Sequence, residues 1–76
     1  MRVWWLLIHD LNGLQVTLHA TEWQARRTLI QYVNAAWETR WPSPPEEEAW
    51  RVAQYFSLMP STTYYNIGHA EVGGAL

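Results

Sequence analysis

A chain of 76 residues with net charge −2, no cysteine and no lysine holds one domain and no disulfide or thiolate metal site. Seven acids against five basic side chains argue against a nucleic-acid binder that works through a broad basic patch. Six Trp, four Tyr and one Phe supply much of the burial that so short a chain needs.

Residues 1–20 read as a β-hairpin. Arg2 to His9, RVWWLLIH, is β-branched, aromatic and aliphatic and too short for a typical helix. Asp10-Leu11-Asn12-Gly13 follows, and Asn-Gly is the strongest short hairpin signal. Leu14 to Ala20 then alternates apolar and polar residues with period two. A two-residue turn at Asn12-Gly13 would pair Leu11 with Leu14, His9 with Val16, Leu7 with Leu18 and Trp5 with Ala20. One face then carries Val3, Trp5, Leu7, Leu11, Leu14, Val16 and Leu18, which is expected to be the core side. The other carries Gln15, Thr17 and His19 together with Trp4, Leu6 and Ile8. The first strand is therefore apolar on both sides. Either the second helix or the C-terminal segment folds over Trp4, Leu6 and Ile8, or that triplet is a partner or dimer interface.

The longest periodic run spans residues 21–41 and reads as the central helix. Thr21 to Gln24 is a capping box, with Thr21 at the N-cap. Ala25, Leu29, Val33 and Ala36 form one stripe, with Tyr32 on one edge and Trp23, Ile30 and Trp37 on the other. That Trp row is expected in the core. Arg26 is placed to pair with Glu22 one turn earlier.

Pro42, Pro44 and Pro45 stop this helix. A second helix is expected over residues 43–58, with Ser43 at the N-cap and Pro44 at the first helical position. Glu46, Glu47 and Glu48 fill its first turn, where acids complement the helix dipole. They are also candidates for an acidic knob that meets a partner's arginines. Ala49, Val52, Ala53 and Phe56 form its stripe, beside Trp50. Residues 62–70 are a strand candidate, and residues 71–76 read as a flexible tail. The order is ββααβ: an α+β fold with a three-stranded, mainly antiparallel sheet and two helices on one face.

No constellation of chemistry emerges. His9 and His19 fall on opposite faces of the hairpin, so they cannot share one metal ion. His9 is read instead as meeting loop backbone through a ring nitrogen. There is no nucleophile elbow and no HExxH motif. The glycines of residues 68–74 lack the Lys-Ser/Thr of a phosphate loop. The protein is expected to be non-enzymatic, without cofactor or metal. No apolar run approaches a membrane span, and the residues after Arg2 are too few for a secretion signal, so a cytoplasmic location is expected.

The run Leu18-His19-Ala20-Thr21-Glu22, Ala25-Arg26, Leu29, Tyr32-Val33 and Trp37 resembles small accessory proteins of phages and mobile elements, in which a hairpin leads into such a helix. The likeness covers the first half of the chain and is built from core residues. It includes anti-CRISPR inhibitors, and it implies an anti-defence role: a non-catalytic inhibitor that blocks a surface of a host defence effector complex. No direct nucleic acid and no membrane partner is expected. The alternative is a homodimeric structural module that buries the outer sheet face. A third reading is a ligand or single-stranded nucleic-acid binder that stacks its Trp and Tyr rings. The residues singled out for partner binding are Trp4, Leu6, Ile8, Glu46, Glu47 and Glu48.

Overall fold

A computed structural model describes residues 1–73. Three strands and two helices follow the expected order: β1 (Arg2–Asp10), β2 (Gly13–His19), α1 (Glu22–Ala36), α2 (Glu48–Leu58) and β3 (Tyr64–Glu71). The strands form one antiparallel sheet in the order β2-β1-β3. β1 is central because the last strand returns to its free side.

The hairpin turns at Leu11-Asn12, one residue earlier than the Asn-Gly signal suggests. Gly13 alone takes the positive φ, 104°, and pairs directly with Asp10. Asn12 keeps a negative φ because Asp10 Oδ1 accepts its backbone N–H at 2.8 Å, which closes the turn locally. The resulting register pairs Trp5 with Leu18, Leu7 with Val16 and His9 with Leu14. Moving the turn by one residue on each strand leaves the sorting of side chains into two faces intact.

What changes is which face lies inside. Leu6 and Ile8 are 1% and 5% exposed and join Ala25, Leu29, Val33, Val52 and Tyr55 in one core cluster. Trp4 and Ile67 pack against it from the sheet. Both helices therefore cover the Trp4-Leu6-Ile8 face. The expectation that Val3, Trp5, Leu7, Leu11, Leu14, Val16 and Leu18 line the core is overturned: Leu11, Leu14, Val16 and Leu18 are 92, 59, 53 and 70% exposed.

α1 starts as its sequence dictates. Thr21 Oγ1 accepts the Gln24 amide at 3.1 Å, and Gln24 Oε1 reaches back to the amide of Ala20. Ala25, Leu29 and Val33 form the buried stripe. The helix stops at Ala36, five residues before the expected end at Trp41, because Trp37 is extended (φ −62°, ψ 125°). That bend lets Trp41 fold back. Its ring meets Trp37 edge-on at 5.3 Å and Tyr55 at 5.8 Å, and the Trp37 indole N–H donates to the Pro42 carbonyl. Aromatic packing outweighs the helix propensity of the last turn.

Trp23 is a second correction: it is exposed, with the Arg27 guanidinium 5.4 Å from its ring, while Ile30 and Trp37 do reach the core. α2 starts at Glu48, not residue 43, and its N-cap is Glu47, not Ser43. The prolines lie in an extended linker, held by Arg51. Its guanidinium donates to the carbonyls of Pro45 and Glu46 and to Asn34 Oδ1, at 2.9 to 3.0 Å. Val52 and Tyr55 form the buried side of α2, whereas Ala49, Trp50 and Ala53 are exposed. β3 runs two residues later than expected at its start and takes in Glu71, which bonds Arg2 at 3.0 Å. Of the expected tail 71–76, residues 74–76 lie outside the described residues.

Candidate functional site

The surface with the most unusual physics is the sheet face that the helices leave open. β1 places Val3, Trp5, Leu7 and His9 there, β2 places Leu14, Val16 and Leu18, and β3 places Tyr64, Asn66, Gly68 and Ala70. β2 makes the anomaly plain. Its polar residues Gln15, Thr17 and His19 point toward the helix side, and its three large apolar residues point to the side that no layer covers among the described residues. A half-buried edge strand normally does the reverse. A contiguous apolar patch of this kind on a small protein marks a contact surface.

The polar groups on this face are satisfied locally. The Trp5 indole N–H donates to Asn66 Oδ1 at 3.3 Å while its ring lies flat across Gly68. Only glycine permits that approach, since an added Cβ would stand 2.1 Å from Trp5 Cζ2. His9 stacks on Tyr64, with ring centres 5.2 Å apart and planes 17° from parallel. Its Nδ1 lies 2.6 Å from the Thr62 carbonyl, which only accepts, so Nδ1 carries the proton. The expectation that His9 meets loop backbone thus holds, on the open face and not the core side. With these groups paired, the face offers apolar surface and no unmet charge.

The candidates from sequence fall elsewhere. Leu6 and Ile8 are core residues and Trp4 packs against them, so the triplet is no docking surface. The physical reason is that the helices have to bury something, and β1 offers apolar side chains on either side. Glu46 and Glu47 sit in the linker and only Glu48 lies within α2, so the triplet is not one helical turn. Among the described residues none of the three forms an ion pair. The Glu46 backbone carbonyl, rather than its carboxylate, does the structural work, as an acceptor for Arg51.

His19 and His69 flank Trp4 on the two neighbouring strands of the helix-side face. Neither ring is free to turn toward the other: the Trp4 ring packs on His69 at 4.6 Å, and His19 Nε2 lies 2.7 Å from Thr17 Oγ1. Among the described residues no group of three His, Asp or Glu is close enough to hold a metal. A cleft of about 240 Å³ lies between the helices, lined by Arg26, Leu29, Ile30, Glu48, Val52 and Tyr65. Arg26 at its mouth already pairs with Glu22 at 3.1 Å, and the floor is apolar. No nucleophile and base meet there.

Asp10, Tyr32, Arg51 and Tyr55 organise the fold without a sequence motif that announces it. Asp10 Oδ2 accepts the Tyr32 hydroxyl at 2.8 Å, which ties the hairpin turn to α1. Burial, then the neighbouring Tyr55 and Asp10, push the Tyr32 phenol far above its ordinary value. The i, i+3 spacing of Val52 and Tyr55 on α2 was the available signal for the last of these.

No helix among the described residues is long and apolar enough to cross a membrane. No protein-family model, curated protein or solved structure matches this chain.

Proposed function

We propose that the protein is a non-catalytic interaction module that docks a protein partner through its open sheet face. The observation that carries this reading is the orientation of β2: Leu14, Val16 and Leu18 all point away from the helix layer. Burial of such side chains contributes roughly 1.5–3 kcal/mol each, a driving force the isolated fold leaves unused. In its narrowest form, taken from the resemblance of the first half of the chain, the module is a phage-type inhibitor that occupies a surface of a host defence effector complex.

Two experiments test it. A photo-crosslinking residue substituted for Leu18 should give protein adducts in cells, while one substituted for Gln15, on the opposite face of the same strand, should not. Equal adducts from both positions overturn the docking face. For the narrow form, purified protein is titrated into CRISPR effector complexes and target cleavage is followed. Inhibition that Val16→Glu removes supports it, and unimpaired cleavage by every complex overturns it.

A further inference from the structure

We infer that the occupant of the open face is a second copy of this chain, packed sheet against sheet about a two-fold axis that runs parallel to the strands. This rests on the docking reading above and names its protein partner as the chain itself, in place of the narrower inhibitor form.

Three observations converge. First, no residue paired onto this face is Asp, Glu, Lys or Arg. A partner that recognised charge would find nothing to pair with, whereas an uncharged face meets its own copy without like-charge repulsion.

Second, the face is shaped to fit itself. One edge, β2, is a ridge of Leu14, Val16 and Leu18. The other edge, β3, is low at Gly68 and Ala70, where the Trp5 ring lies flat. A two-fold parallel to the strands exchanges these edges and keeps each row of paired residues opposite itself. The row Leu18, Trp5, Gly68 then sets Leu18 against the flat indole and Gly68 of the other copy. The row Leu14, His9, Tyr64 sets Leu14 against the tyrosine ring, and Leu7 meets its own symmetry mate near the axis. Helices end up outside and two sheets inside, as in a sandwich with a spacing of about 10 Å.

Third, the size fits a modest dimer. Three strands about 4.8 Å apart and seven to nine residues long at about 3.3 Å each give a footprint of roughly 400 Å². With standing side chains the accessible area is larger, near the low end of the roughly 600–1,000 Å² per partner that specific complexes bury. An interface of this size belongs with weak, reversible contacts, so association is looked for at micromolar concentration.

β2 also has a bare edge with no proline or charged residue, so edge pairing of β2 with a second β2 is the competing geometry. It would leave the apolar face in water. Sedimentation equilibrium from about 1 to about 100 µM separates the cases, a range set by the micromolar expectation. Wild type should move from monomer to dimer across it. Val16→Glu and Leu18→Glu should stay monomeric throughout, at least a tenfold loss of affinity, with unchanged circular dichroism. Thr17→Glu, on the helix-side face of the same strand, should dimerise like wild type.

A wild type that is monomeric at the highest concentration overturns the second copy. The docking reading survives that result if the Leu18 crosslinks to other proteins persist. A dimer that survives both glutamates overturns the face as interface altogether. Loss of the dimer in Thr17→Glu points to edge pairing and overturns the sheet-on-sheet geometry.

Discussion

The Trp5 indole lies across Gly68 on the neighbouring strand so closely that residue 68 has no room for a side chain. The contact does two jobs. It shields backbone at a glycine that would otherwise leave a gap in the sheet, and it keeps a large ring flat on the open face instead of standing into solvent.

Gly68→Ala forces that ring to move, because the close contacts are to the rigid aromatic carbons and not to the end of a flexible chain. A cost of about 1–3 kcal/mol is expected, the usual penalty for overpacking. Urea denaturation followed by tryptophan fluorescence checks it. Trp5→Ala should relieve most of the penalty in the double variant, since the two residues touch and their effects should not add.

The two faces of the sheet predict opposite responses to the same substitution. Leu6→Asn places an amide in a fully buried site and should cost about 3–5 kcal/mol, enough to unfold much of the population. Leu18→Asn, at an exposed position, should leave the monomer's thermal unfolding within about 0.5 kcal/mol of wild type. Melts of both variants in dilute solution make the comparison. Equal destabilisation would show that the helix-covered face is misassigned.

Tyr32 gives the fold an alkaline limit. Its hydroxyl donates to Asp10, and burial holds the phenol neutral well above its ordinary value of 10.0. A group whose pKa is raised by folding contributes stability that is fully present below the unfolded value. That stability starts to be lost as pH rises past about 10, where the unfolded chain ionises first. Denaturant midpoints measured from pH 8 to 11, a window set by the ordinary phenol value, should therefore fall at its upper end. Tyr32→Phe should lose about 1 kcal/mol at neutral pH and flatten the alkaline part of the profile. An equally steep fall in the variant would place the pH dependence elsewhere.

Arg51 holds the linker between the helices through backbone carbonyls that lysine cannot span together with Asn34. Arg51→Lys should thus recover little of the loss caused by Arg51→Ala, about 1.5–3 kcal/mol for charge-assisted bonds. Limited proteolysis offers a direct readout. Cleavage between Glu38 and Glu47 should speed up in both variants, and wild-type resistance in either would overturn the role.

Much of the architecture can be read from the chain alone, because local signals state it. Asp10 to Gly13 must turn, Thr21 and Gln24 must cap a helix, and three prolines must interrupt one. The alternation of β2 likewise assigns every strand residue to one of two faces, and that assignment survives a one-residue displacement of the turn.

The alternation cannot say which face is inside. β1 is apolar on both sides, so the packing of α1 and α2 had to choose, and the choice turned on residues distant in sequence. Val52, Tyr55 and Ile67 sit on the side of Leu6 and Ile8, while beside Trp5 and Leu7 β3 offers Gly68 and Asn66. A core forms where apolar groups from every layer can meet. Only the tertiary structure brings those layers together, and it leaves the ridge of β2 facing outward.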